Sequence, residues 1–144
     1  MTAAIVRPES SSISCTEDTR SATEKDSDPE HSCTKLKDSR TLWFKVTAPD
    51  TGTLRFSFVN RRFDNGADSG TVVTVYPLTG DVIGAELTCS VTPQAANVFT
   101  TRSPQIAARQ GSAYLVEVSA TTFNAPAGAA AMGGSLTLTA TLLK

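Results

Sequence analysis

The sequence predicts an all-β protein, a jelly-roll-like antiparallel β-sandwich, from three observations. Threonine and serine together make up 36 of the 144 residues, and these residue types favour strands and turns. Apolar and polar side chains alternate in several short runs from Thr41 onward, as in strands with one buried face. Turn sequences separate these runs, and no run has the spacing of an amphipathic helix.

The clearest pair of runs lies in the first half of the chain. Apolar side chains alternate through residues 42–48 and again through residues 54–58. Between them lies Pro49-Asp50-Thr51-Gly52, a turn sequence in which Gly52 supplies a positive φ. The two runs and the short turn predict a β-hairpin.

The later strands follow from β-branched and alternating segments. Residues 71–76 are rich in valine and threonine, and residues 109–112 form a turn. Further strands are predicted at residues 82–83, 87–91, 97–101, 105–108, 114–118 and 136–142. Facing sheets would then bury Leu42, Phe44, Val46, Leu54, Phe56, Phe58, Val73, Val75, Tyr114, Val116, Val118, Leu136, Leu138 and Leu142.

Charge is concentrated before the first predicted strand. Residues 17–40 contain twelve charged residues and residues 71–144 contain six, so the first stretch is predicted to be a solvated, loop-rich lead-in. The formal net charge of −1 gives no general attraction to phosphate and argues against nucleic acid as a partner. No apolar run approaches the roughly 20 residues of a membrane helix, and no signal peptide is recognised.

Three cysteines permit at most one disulfide. Their spacing fits no zinc site, and buried free thiols are the simplest interpretation. If a bridge forms, the candidate pair is Cys15 with Cys33, since both lie in the N-terminal region.

Several segments occur in an order that can be compared with that of known domain families. They are TLWFKVTAP at 41–49 with GTL at 52–54, FD at 63–64 with TVVTVY at 71–76, AARQGSAYLVEV at 107–118, and GSLTLT at 134–139. Their order and spacing resemble those of bacterial pre-peptidase C-terminal domains. The resemblance assigns residues 22–144 to such a sandwich domain and leaves residues 1–21 as an N-terminal extension or first edge strand.

The resemblance implies an accessory module of a secreted bacterial protein. The expected location is extracellular or at the cell surface, with the cytoplasm as the alternative. The predicted function is a non-catalytic module that binds a polymer, either glycan or protein, or supports a larger secreted protein. The alternative is a self-assembling structural subunit of a surface, coat or filament, whose partners are copies of itself.

Candidate metal ligands lie in the acidic lead-in. Asp26, Asp28 and Glu30 alternate, and alternating carboxylates in a loop can supply oxygen ligands to calcium. A solvated acidic loop without a cofactor is the simpler interpretation. His31, the single histidine, is predicted to be a solvated loop residue, and no Gly-x-Ser-x-Gly motif accompanies it, so no hydrolase site can be assembled.

Four other residues are candidates for ligand binding. Arg55, Arg61 and Arg62 could form a basic patch for an anionic glycan, although such arginines are more often solvated or paired. Trp43 alternates out of phase with the predicted core and lies on the outer face of its sheet. It is either an exposed platform for a sugar or, more often for a tryptophan, covered by the N-terminal segment.

Overall fold

The computed structural model describes residues 4–6, 12–23, 28–36, 38–61, 70–92, 103–123, 127–128, 130 and 134–144. These residues contain strands β1 (Ala4–Val6), β2 (Ser12–Asp18), β3 (Ser39–Thr47), β4 (Gly52–Arg61), β5 (Thr71–Thr79), β6 (Val82–Ile83), β7 (Thr88–Thr92), β8 (Gln105–Ala108), β9 (Ala113–Ala120) and β10 (Ser135–Leu143). None of the described residues is helical, and so none forms a helix that could cross a bilayer. The strand predicted at residues 97–101 lies outside the described residues.

The strands form two sheets that confirm the all-β sandwich. A six-stranded sheet has the order β1-β3-β9-β5-β6, with β7 also paired to β5. A four-stranded sheet has the order β2-β10-β4-β8. All pairings are antiparallel except that of β1, which runs parallel to β3.

The core lies between the sheets, as the alternation predicts. Thirteen of the fourteen expected core residues belong to one buried cluster, and the fourteenth, Leu42, is partly buried against it. Phe44 of the six-stranded sheet and Phe56 of the four-stranded sheet both point into this core, and each has at most 1% of its surface exposed. Each large side chain buried in this way contributes about 1.5–3 kcal/mol to folding.

The predicted hairpin of β3 and β4 is wrong. β3 pairs with β1 and β9, whereas β4 pairs with β8 and β10, so residues 48–51 cross from one sheet to the other. Both strands bury their alternating apolar side chains in the same interior. Alternation therefore identifies each strand's buried face but not the strand with which it pairs.

The connection at residues 48–51 is hydrogen-bonded to a second short connection between the two sheets. Residues 109–112 cross between β8 and β9, and backbone bonds of 2.9 Å join Ala48 to both Gly111 and Ser112. Gly111 has a φ of 77°, as a tight turn requires. Gly52 does not have the predicted positive φ; instead, a Cβ there would lie 2.5 Å from the carbonyl oxygen of Leu143.

The N-terminal region is more ordered than a solvated lead-in. β1 lies at the edge of the six-stranded sheet, and β2 pairs with β10 along seven residues at the edge of the four-stranded sheet. Between β2 and β3, several polar residues are buried rather than solvated: Thr19, Asp28, His31, Thr34 and Asp38. Composition alone does not reveal this burial, because these polar groups find partners only after the chain folds back on the sheet.

Candidate functional site

The outer face of the six-stranded sheet carries an aromatic and acidic cluster. Trp43 on β3 is the register partner of Glu117 on β9, so both side chains point to the same face. Tyr76 on β5 lies beside them, with its ring centroid 5.8 Å from that of Trp43. Trp43, Tyr76 and Leu115 form a small buried cluster separate from the main core.

Residues 28–36 and Asp38 form a segment, which we call the strap, that contacts this face through His31 and Cys33. It is a compact turn with two backbone hydrogen bonds. The N–H of Lys35 donates to the carbonyl of His31 (2.8 Å), and the N–H of His31 donates to the carbonyl of Leu36 (3.1 Å). Cys33 is joined to Cys89 on β7 by a disulfide. The strap is therefore linked covalently to the same sheet whose outer face it contacts.

Buried charged groups connect the strap to the sheet. The Nδ1 of His31 donates to Asp38 at 2.7 Å, and its Nε2 lies 3.1 Å from Oε2 of Glu117. Thr34 donates a further hydrogen bond to Asp38 at 3.0 Å, and Tyr76 donates one to Glu117 at 3.1 Å. Because the side chains of His31, Asp38 and Glu117 are at most 2% exposed, water does not screen these interactions.

The electrostatics of the cluster keep His31 protonated at neutral pH. Burial alone would lower its pKa, but the adjacent carboxylates of Asp38 and Glu117 outweigh burial and raise the pKa from 6.5 to about 9. Burial and the charge of Glu117 raise the pKa of Tyr76. The imidazolium is thus held between two carboxylates, with a phenol that stays protonated and donates to one of them.

This arrangement is suited to holding the strap rather than to catalysis. Both ring nitrogens of His31 are occupied by carboxylates, and 1% of the residue is exposed, so it cannot take a proton from a substrate. The two carboxylates lie on opposite nitrogens of the ring and do not converge on one point. Within the described ranges, no group of three or more histidine, cysteine, aspartate or glutamate side chains could hold a metal ion.

The proposed calcium ligands are not all on one surface. Asp28 is 6% exposed, Glu30 is exposed, and Asp26 lies outside the described residues. The prediction that His31 is a solvated loop residue is wrong, since it is buried between Asp38 and Glu117.

The proposed ligand-binding residues are separated. Trp43 is 8% exposed, in agreement with the covered alternative and not with an open sugar platform. Arg55 and Arg61 share one face of β4 but are six residues apart, which corresponds to about 20 Å along a strand. Arg62 lies outside the described residues. The described part of the chain therefore does not bring Arg55 and Arg61 into one compact patch.

Both predictions for the cysteines are wrong: Cys33 and Cys89 are not free thiols, and Cys33 does not pair with Cys15. Cys33 bonds to Cys89, 56 residues away, and Cys15 is a free thiol packed against the main core. Sequence proximity misled the prediction, because β2 and the strap lie on different sheets. One sequence feature could have indicated the site: Glu117 is the single charged residue of a largely apolar strand and is out of phase with the core, so it marks a polar contact on the outer face.

Three exposed apolar side chains lie close together in sequence beside the strap, and we call this group the β6 corner. It consists of Val82 (71% exposed), Leu87 (48%) and Ile83 (38%), flanked by Asp81 and Glu86. The strap reaches this corner, because Ser32 donates to Glu86 through its hydroxyl and its backbone N–H. The chain has no lysine or arginine from residue 70 to residue 92, so this stretch supplies only negative charge to the corner.

Two solved structures are similar to this chain over nearly its whole length. PliG of Aeromonas hydrophila, a periplasmic inhibitor of g-type lysozyme, has a TM-score of 0.50 and 11% identity, covering 99% of this chain and 100% of that chain. CorA of Methylomicrobium album BG8, a surface-associated copper-binding protein important in copper acquisition, has a TM-score of 0.57 and 9% identity, covering 99% and 98%. At these identities the likeness shows the fold alone. No protein-family model and no curated protein matches the chain.

Proposed function

We propose that this chain is a non-catalytic extracellular module that binds another protein through the β6 corner. The proposal rests on the exposure of Val82, Ile83 and Leu87, which all lie within residues 82–87 at the edge of the six-stranded sheet. Ile83 pairs with Leu78, and the N–H of Leu87 bonds to the carbonyl of Val75 at 2.8 Å. Apolar side chains held in place at the surface are suited to docking, because little conformational freedom is lost when a partner covers them.

A non-catalytic, extracellular role is supported by the chemistry of the strap. The single histidine is buried in ion pairs, and the Cys33–Cys89 disulfide is typical of an oxidising compartment. The two structural neighbours are a periplasmic inhibitor and a surface-associated binding protein, and a role of that kind suits this chain. The segments quoted above support a further proposal, membership of the pre-peptidase C-terminal family.

A protein is favoured over a glycan by the placement of the aromatic side chains. Sugars are commonly held on exposed aromatic rings, which present a flat apolar face. Among the described residues, Trp43, Tyr76 and Tyr114 are all buried, and no aromatic side chain is exposed. The surface that is available consists of aliphatic side chains with an acidic border, and it would suit a partner with apolar and basic residues.

The proposal can be tested with a photo-crosslinking amino acid placed at position 82 in the cells that produce the protein. Position 59 is the matched control, because Val59 is also an exposed valine (49%), but lies on the other sheet. We expect one discrete protein partner from position 82 and none from position 59. With the purified pair, Val82→Asp should weaken binding by about tenfold or more, and Val59→Asp should leave it unchanged.

Two results would contradict the proposal. Equal crosslinking from both positions would show that the β6 corner is not a specific surface. Crosslinks between copies of this chain, together with a mass in solution well above 15.1 kDa, would support the self-assembling subunit instead.

A further inference from the structure

The strap is fastened without an apolar anchor. Its buried side chains are all polar, namely those of Asp28, His31, Thr34 and Asp38, whereas Leu36 is 39% exposed. A segment of this kind gains little from the hydrophobic effect. Among the described residues, the contacts that hold it on the sheet include the ion pair of His31 with Glu117, the hydrogen bonds of Ser32 to Glu86 and the disulfide.

These attachments lie at three consecutive positions of the strap. Residues 31, 32 and 33 each contact a different strand or connection of the six-stranded sheet. Because the contact of His31 with Glu117 is strong only while water is excluded, it depends on the strap staying closely seated. The covalent link at the neighbouring Cys33 is what keeps it seated.

Trp43 and Tyr76 both neighbour Glu117, the residue that the strap contacts through His31. Trp43 and Tyr76 are 8% and 4% exposed, although both point away from the main core. Neither Cys33 nor Cys89 belongs to the main core, whose contacts run between the two sheets. Loss of the disulfide would therefore affect the strap and the outer face before it affects the sandwich.

We propose that the Cys33–Cys89 disulfide is a redox-controlled clasp whose reduction releases the strap and uncovers the Trp43–Tyr76 face, while the sandwich stays folded. A dithiol supplies two electrons and two protons: the S–S bond breaks, both cysteines become thiols, and the dithiol closes to its own disulfide. Both cysteines are half-buried rather than fully enclosed, so a small dithiol can reach the bond. This inference goes beyond the proposed docking function, and its test needs no partner.

The chain supplies two single-residue reporters for the experiment. Trp43 is the only tryptophan and His31 the only histidine, so fluorescence and histidine NMR each report one site. The measurements use Cys15→Ser protein, in which Cys33 and Cys89 are the remaining cysteines. They compare the oxidised protein, the protein treated with dithiothreitol, and a Cys33→Ala variant that does not depend on access of the reductant.

We expect reduction and Cys33→Ala to have the same effects. The emission of Trp43 moves to longer wavelength, acrylamide quenches it more strongly, and the pKa of His31 falls from about 9 toward its ordinary value of 6.5. The far-UV circular dichroism of the strands is retained. Unchanged Trp43 and His31 signals in both samples would overturn the proposal, because the polar contacts would then hold the strap alone. Loss of the strand signal together with the reporter changes would also overturn it, because the disulfide would then support the whole fold.

Discussion

Raising the pH above neutrality should destabilise the protein through His31. In the folded chain its pKa is about 9, and in the unfolded chain it returns to its ordinary value of 6.5. A group with a raised folded pKa contributes its full stabilisation below pH 6.5 and loses it as the pH rises to about 9. The free energy of unfolding should therefore fall across this window.

The size of the fall follows from the two pKa values. Each pKa unit corresponds to a free energy of 1.36 kcal/mol, so a rise from 6.5 to about 9 stabilises the fold by about 3 kcal/mol. Because His31 is 1% exposed, solvent screening does not reduce this contribution as it would for a surface pair. A loss of this size is a substantial part of the 5–15 kcal/mol typical of domains.

The assay is urea unfolding followed by Trp43 fluorescence at several pH values between 6 and 9.5. Cys15→Ser protein is used throughout, so that the free thiol of Cys15 does not contribute to the pH dependence. Glu117→Gln is the matched variant, because it removes one of the two carboxylates beside His31 while keeping a side chain of similar shape. Its unfolding free energy should depend less on pH over the same window.

Direct titration of the histidine provides the decisive control. The chain has one histidine, so its ring proton gives one NMR signal that needs no assignment by mutation. A pKa at or below 6.5 would refute the reasoning, as would an unfolding free energy that stays level or rises between pH 6.5 and 9.

Three further outcomes are expected. Cys33→Ala should lower the free energy of unfolding in urea, followed by far-UV circular dichroism, by about 4 kcal/mol, because the bridge to Cys89 closes a loop of 56 residues in the unfolded chain; a loss below 1 kcal/mol would contradict this reasoning. Gly52→Ala should cost about 2–3 kcal/mol in the same assay, because its Cβ would lie 2.5 Å from a carbonyl oxygen. Gly80→Ala, with a φ of 59° and no neighbour within 4 Å, should cost only about 1 kcal/mol, and equal losses would argue against a clash at Gly52. Removing divalent ions with EDTA should leave the melting temperature unchanged, because the described residues form no group of metal ligands; a lower melting temperature that calcium restores would show that the acidic lead-in binds the ion.

The strands were predictable where one face of a strand is buried and the other is polar. β10 alternates Leu136, Leu138 and Ala140 with threonines, and the structure buries every second residue as the pattern predicts. Such a pattern arises from the two-residue period of an extended chain and needs no knowledge of distant contacts. The residues that alternate out of phase with the core were also informative, since this alternation placed Trp43 on the outer face of its sheet.

The candidate site was not predictable in the same way. His31, Asp38 and Glu117 are separated by up to 86 positions, and their pairing depends on where the lead-in folds back on the sheet. Read singly, the histidine resembles a solvated loop residue and the glutamate a surface charge. Their burial is favourable only because the imidazolium of His31 lies between the two carboxylates, and that condition is not visible in any one segment.

Local alternation by itself determined the strands, their buried faces and the all-β class, because those properties depend on residues one and two positions apart. Only the folded chain shows that β3 and β4 belong to different sheets, that Cys33 bonds to Cys89, and that His31 of the strap is paired with Glu117. The physical reason is distance along the chain: these contacts join segments whose meeting is governed by the closure of the whole sandwich.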